Sequence, residues 1–263
     1  MTRNNFKLLI ILLFFLITPI LQASDLAKEK RWADQIVDAL ITGEAEWLPL
    51  DELKVLSIYT PSEVEPARGA AIILHGIGVH PDWPDVIHPL RTRLPEAGWA
   101  TLSVQMPILP NEASGTDYLP LLPEVPARIN AAIAFLQEQG FEHVVLIAHS
   151  LGTVMSSYYL TQQPAEAVQA FVGISMSEID TDPRMSNVAM LKNITIPVLD
   201  IYGGLDEPHV RDYVQQRQQS ATSASNSAYR QVEIKDANHF YNGKDSALLA
   251  VIEKWLASQT ITK

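Results

Sequence analysis

A recurrence constrains this chain more than any other feature. From residue 70 onward, short apolar runs alternate with segments of helical periodicity. Residues 70–74 (Ala-Ala-Ile-Ile-Leu), 100–105, 144–148, 168–175, 198–202 and 229–234 read as strands. The most apolar of them have the pattern of strands buried on both faces of a parallel sheet. Between them, residues 86–97, 124–139, 151–160, 208–219 and 245–257 read as helices, as in the stripe Val125, Ile129, Ile133 and Leu136. This order predicts an α/β fold, a mostly parallel sheet with helices on both faces. An earlier amphipathic helix over 26–40 carries Trp32, Ile36, Val37 and Leu40 and is expected to cover the domain; residues 54–59 alternate like a strand. Stretches 106–120 and 220–227 read as loops. With 263 residues, 47% of them hydrophobic, the chain can bury one large core, so residues 24–263 are expected to form a single domain.

The first 23 residues follow a different logic. Residues 8–17 are an unbroken apolar run preceded by Arg3 and Lys7, and Leu21-Gln22-Ala23 ends in a small residue before Ser24. That is the layout of a secretory signal peptide with cleavage after Ala23. The run is short of the roughly 20 residues a spanning helix needs, so the mature chain is expected to hold no stable membrane span. An uncleaved N-terminal anchor is the alternative. The expected location is periplasmic or secreted. The sequence contains no cysteine, so stability must come from the core even in an oxidising compartment. Loss of Arg3 and Lys7 with the leader moves the formal net charge from −11 to −13. Such a field repels a phosphate backbone, and no basic stripe reverses it locally, so nucleic acid is not an expected partner.

The chemistry is concentrated in residues 144–152, Val-Val-Leu-Ile-Ala-His-Ser-Leu-Gly. An apolar strand runs through Ala148 and His149 to Ser150, and a helix begins at Leu151. A serine on so sharp a turn projects its hydroxyl above the sheet edge. The residues two positions either side, Ala148 and Gly152, must be small because backbone and helix pack closely there. The helix N-terminus also aims its amides at the place where an oxyanion would form. The plainer alternative is a serine that merely caps a helix.

This stretch resembles the nucleophile elbow of the α/β-hydrolase superfamily, usually written G-x-S-x-G, with Ala148 in place of the first glycine. Two further segments carry the resemblance. Residues 72–78, Ile-Ile-Leu-His-Gly-Ile-Gly, run a strand into a His-Gly-x-Gly loop, which in that superfamily supplies an oxyanion amide. The resemblance assigns the amides of Ile77 and Leu151 to that role and makes His75 a holder of the loop. It also implies an acid after a late strand and a histidine after the last one, in the order Ser150, Asp206, His239. Asp206 follows the strand 198–202 and His239 follows 229–234. Asp200 lies inside a strand, Glu207 is the fallback acid, and His209 opens a helix and is expected at the surface. The segment His80-Pro81-Asp82-Trp83-Pro84, with Pro89-Leu90-Arg91 and Gly98-Trp99-Ala100 behind it, is similar to a family of uncharacterised exported proteobacterial proteins within the same superfamily.

Only residues 176–196 are available for a lid, too few for a large helical cap. The site is therefore expected to be open, walled by loops 79–85, 107–119 and 176–185. Trp83 is either a substrate-binding platform or a wedge packing its loop onto the core. His80 and Asp82 lack a third ligand at useful spacing, so neither a metal nor any other cofactor is expected. The resemblance implies a serine hydrolase acting on a small-molecule or lipid ester, or a related acyl bond. An acyltransferase, or an exported binding or assembly protein on a hydrolase scaffold, remains as an alternative. Neither the acyl chain nor the oligomeric state can be read from these residues.

Overall fold

A computed structural model describes residues 24–162, 164–223 and 226–259; the expected signal peptide, residues 1–23, lies outside the described residues. The strands are β1 (Glu44–Leu50), β2 (Leu53–Thr60), β3 (Gly69–Leu74), β4 (Trp99–Val104), β5 (Val144–His149), β6 (Val168–Ile174), β7 (Val198–Gly203) and β8 (Tyr229–Ile234). The α-helices are α1 (Leu26–Ala39), α2 (Ile87–Arg93), α3 (Val125–Glu138), α4 (Leu151–Thr161), α5 (Asn187–Leu191), α6 (Pro208–Arg211), α7 (Val214–Ser223) and α8 (Asp245–Leu256). The strands form one sheet in the order β1-β2-β4-β3-β5-β6-β7-β8. β1 with β2 and β2 with β4 are antiparallel, and every later pairing is parallel.

Period-two alternation divides the core. Ala70, Ile72 and Leu74 of β3 and Val144, Leu146 and Ala148 of β5 face a layer that includes α3 and α4. Ala71, Ile73, Val145 and Ile147 face the opposite layer, built with α2 and α8. Both faces of the central strands are covered, which explains why those segments read as continuous apolar runs. α1 lays Ala33 and Ile36 on Leu56 and Ile58 of the antiparallel end, so it does cover the domain as its stripe suggests.

The departures from the sequence reading have local causes. β1 does not stand out as a strand because it mixes Glu44, Glu46 and Pro49 with its apolar residues; as an edge strand it tolerates the proline. The expected helix over 86–97 ends as α2 at Arg93, and a 3₁₀ turn over Pro95–Ala97 follows. Pro95 has no N–H to offer the Arg91 carbonyl, and the Thr101 hydroxyl donates to it instead at 2.8 Å. The expected helix over 208–219 is two helices, and α7 runs on through Ser223 into a stretch read as loop. The break at Asp212 and Tyr213 turns Arg217 inward. Its guanidinium donates to Asp200 at 2.7 Å and to the carbonyls of Met176 and Val210. Tyr229 and Gln231 also donate to the Asp200 carboxylate, at 2.6 and 2.8 Å.

Asp200 and Arg217 are both 0% exposed, so removal of one strands the other as an unpaired buried charge. Arg217→Met should cost about 3–5 kcal/mol of stability in urea unfolding. The double substitution Asp200→Asn with Arg217→Met should cost measurably less than Arg217→Met alone.

Candidate active site

β5 delivers the chain to Ser150 at φ 55°, ψ −125°, a strained conformation for a residue with a side chain. The turn is held from both sides. Ser150 N–H donates to the Ile174 carbonyl at 3.0 Å, and the Ser150 carbonyl accepts from the Thr153 amide and hydroxyl at 2.9 and 2.6 Å. The need for small neighbours is literal. A Cβ on Gly152 would stand 2.6 Å from the His75 carbonyl oxygen and 2.7 Å from that of Leu74. The start of α4 is thereby pressed against the end of β3.

The loop after β3 is fixed by His75, which is 1% exposed. Its Nε2 accepts the Met106 amide at 2.9 Å, which puts the ring proton on Nδ1, 2.9 Å from the Gly76 carbonyl. Burial pulls its pKa down to about 3, so the ring is neutral at ordinary pH. His75 is thus a brace for the loop. Ile77, two residues on, lines the same cavity as Leu151 and Ser150.

The structure brings together the three residues that chain order singles out. His239 follows β8 and presents Nε2 3.0 Å from Ser150 Oγ. Its Nδ1 lies 2.7 Å from Oδ1 of Asp206, which follows β7. Asp206 is 3% exposed and takes four donors: His239 Nδ1–H, the Gly203 and Glu207 amides and the Ser175 hydroxyl, the last at 2.5 Å. Burial raises its pKa, but the hydrogen bonds from His239 and Ser175 outweigh that and leave it below its ordinary value. Glu207, the fallback acid, is exposed and lines the cavity.

Three neighbours of this cluster were not legible in the sequence. Ser175, directly after β6, sits at φ 53° with its hydroxyl on Asp206. His149 donates from Nε2 to the His239 carbonyl at 2.9 Å and stacks 4.9 Å from the His239 ring. Its pKa is drawn down to about 3 by burial and then by His239. His209, expected at the surface, is half-buried on the cavity wall with its ring 5.8 Å from His239. Burial, followed by the nearby His239 ring, lowers its pKa.

The cavity over Ser150 has a volume of about 420 Å³ and a mainly apolar lining. Each of the three expected wall loops contributes: Val79 and Trp83 from the first, Gly115 from the second, Ile179 from the third. Phe240 completes the rim and meets the His239 ring edge-on at 5.2 Å. Trp83 does both things open to it, lining the cavity while packing on the core layer of α2 and α8. Asp82 is occupied by Arg91 and His88, and His80 Nδ1 accepts the Asp82 amide. Chemically, the arrangement can activate a hydroxyl by proton transfer to an imidazole whose other nitrogen is held by a carboxylate.

A strand-to-helix serine turn on a parallel sheet, with an acid and a histidine after later strands, defines the α/β-hydrolase fold. The fold is shared at low identity with Est1E from Butyrivibrio proteoclasticus, at TM-score 0.64 and 16% identity over 84% of this chain and 100% of that one. A soluble variant of monoglyceride lipase from Saccharomyces cerevisiae matches at TM-score 0.65 and 12% identity, over 85% and 97% of the two chains. Dienelactone hydrolase from Anabaena variabilis matches at 0.59 and 20%, over 82% and 97%. No curated protein matches the chain by sequence. A family model does: residues 8–118 and 119–258 match DUF3530, described as a protein of unknown function, and the chain belongs to that family.

The two neutral histidines make stability pH-dependent. Each binds a proton in the unfolded chain below about 6.5 but not in the folded one until about 3. Stability is therefore present above pH 6.5 and is lost as pH falls, by up to about 1.4 kcal/mol per unit for each ring. The urea midpoint should fall between pH 7 and pH 5, and His149→Gln should flatten that fall.

Proposed function

We propose that this chain is an exported serine hydrolase that cleaves an ester or related acyl bond through a covalent acyl-enzyme. The observation that carries the reading is the unbroken relay from Ser150 Oγ to His239 at 3.0 Å and from His239 to Asp206 at 2.7 Å. Ser150 attacks the acyl carbonyl while His239 takes its proton, and Asp206 holds the imidazole in the required tautomer. The amides of Leu151 and Ile77 receive the oxyanion. His239 then protonates the departing alcohol, and water, activated by the same imidazole, releases the acyl group and restores Ser150. The apolar cavity suits an acyl or aryl group, in keeping with neighbours whose names include a monoglyceride lipase and a dienelactone hydrolase. Lipid esters, acylated sugars, small esters and thioesters all fit this chemistry. Export rests on the leader-like residues 1–23, with Ser24 as the new N-terminus.

A panel of esters of graded acyl length, assayed on wild type and Ser150→Ala, tests the reading. Ser150→Ala and His239→Ala should each lower turnover on the order of 10⁴ to 10⁶, and the double variant should be little worse than either. Asp206→Asn should cost on the order of 10⁴, whereas Glu207→Gln should cost little. Wild-type turnover by Ser150→Ala, in protein free of host esterases, would sink the proposal.

The segment between β6 and β7 holds only a 3₁₀ turn and α5, so nothing there has the size of a helical cap. Soluble short-chain esters should be turned over without a lag. A jump in rate above the substrate's solubility limit would contradict an open site.

A further inference from the structure

The residue expected to become the N-terminus is already part of the core. Ser24 is buried, its backbone N–H donates to Glu124 Oε1 at 3.0 Å, and its hydroxyl donates to Oε2 at 2.8 Å. Next to it Arg128, 2% exposed, grips Glu29 through two bonds of 2.9 and 3.0 Å. Arg128 also reaches Ser24 Oγ at 3.2 Å and Glu124 at 3.4 Å. The Asp25 amide donates to the Ile108 carbonyl at 2.7 Å and fixes the chain direction at this point.

The charges in this cluster do not balance while the leader is attached. Glu29 and Glu124 carry two negative charges, Arg128 carries one positive charge, and Ser24 N is a neutral amide. Burial, above all, raises the Glu29 pKa against the pull of Arg128 beside it, and the Glu124 carboxylate adds a smaller push in the same direction. Lys28 does not supply the missing cation, because its ammonium turns to the Leu109 carbonyl and Asn111. Asp25 is engaged with the Lys28 amide, and Asp51 and Glu52 across the adjoining cavity add only further negative charge.

We infer that proteolytic release at the Ala23–Ser24 bond creates the missing cation: the new α-ammonium of Ser24 pairs with the half-buried Glu124 and neutralises the Glu29–Arg128–Glu124 cluster. Hydrolysis adds one water across the peptide bond, leaving Ala23 as a carboxylate and Ser24 as an ammonium. The donor position is the one the amide already occupies, so the charge arrives without rearrangement. Maturation then adds an ion pair between the N-terminus and the start of α3, a hundred residues along the chain. The inference rests on the export reading of residues 1–23 and is independent of the serine chemistry.

The test compares two chains released in vitro from fusions by a site-specific protease, one starting at Ser24 and one starting at Gly-Gly-Ser24. The two glycines carry the ammonium up to roughly 7 Å from the position of the Ser24 nitrogen. The Ser24 chain should melt higher by about 2–4 °C or more at pH 7. A carboxylate partner raises the pKa of the α-amine in the folded chain above its ordinary value of about 8. The advantage should therefore be full below pH 8 and vanish as pH rises through the folded-state value. Glu124→Gln should lower the melting temperature of the Ser24 chain and have a smaller effect on the Gly-Gly chain. Equal melting temperatures, or an equal effect of Glu124→Gln in both, would overturn the inference while leaving export intact. Intact mass of the exported protein supplies the remaining arm: Ser24 with a free amine is expected, and retention of Met1 would overturn both readings.

Discussion

The contact on which the site depends is the one between the first turn of α4 and the last residues of β3. Gly152 lies so close to the carbonyls of His75 and Leu74 that no side chain fits between them. Gly76 is pressed from the same side, with its absent Cβ only 3.1 Å from Cβ of Ser150. This proximity has two effects. It forces the turn at Ser150 into a conformation that only surrounding structure can maintain. It also sets the loop bearing Ile77 beside the amides at the start of α4, so that two elements meet at one hydroxyl. The sheet supplies the force for this through strands buried on both faces, since any loosening of α4 would open the layer holding Leu151, Val154 and Met155.

Around that contact, burial sorts histidines that are chemically alike. His75 and His149 lack a carboxylate within hydrogen-bonding distance, and burial keeps them neutral, bonded to backbone carbonyls. His239 alone of the three has a carboxylate against Nδ1 and a hydroxyl against Nε2. Two rings thus act as fixed supports, and the third bridges Asp206 and Ser150. The same division holds for the acids. Asp200 accepts from Arg217, Tyr229 and Gln231, all away from the Ser150 cavity, whereas Asp206 accepts from His239 and is held toward it by the Ser175 hydroxyl and the Gly203 and Glu207 amides.

Much of this was legible because it is local. The runs at 70–74 and 144–148 announce strands buried on both faces, and the interval from Ala148 to Gly152 announces a tight strand-to-helix turn. Chain order then pointed to Asp206 and His239, which lie behind β7 and β8. What stayed hidden depends on partners distant in sequence. Ser175 carries no motif; its role exists only because β6 and β7 are neighbours in the sheet. The break between α6 and α7 has no glycine or proline to mark it and follows from the demand of Asp200 for Arg217. β1 was missed because an edge strand need not be uniformly apolar. His209 looked like a surface residue because the start of a short helix gives no sign that it faces a cavity.

The wall of that cavity shows how a small lid changes what must be rigid. With only a 3₁₀ turn and α5 between β6 and β7, the cavity is walled by segments already held in place, two of them tied to the frame by bonds outside the cavity. The Trp83 loop is anchored where the Ser103 hydroxyl donates to the Pro81 carbonyl and where Asp82 meets Arg91. The segment carrying Ile179 is anchored by Asn187, which bridges Thr153 of α4 and the Ser177 carbonyl. Gly115 opens a 3₁₀ helix, Gly115–Glu124, held locally by the capping box of Ser114 and Asp117. Substitutions that loosen these anchors would reshape the cavity without touching the hydrogen bonds among Ser150, His239 and Asp206. A frame of this kind can line its cavity differently by changing loops alone, which is why a fold by itself does not choose a substrate.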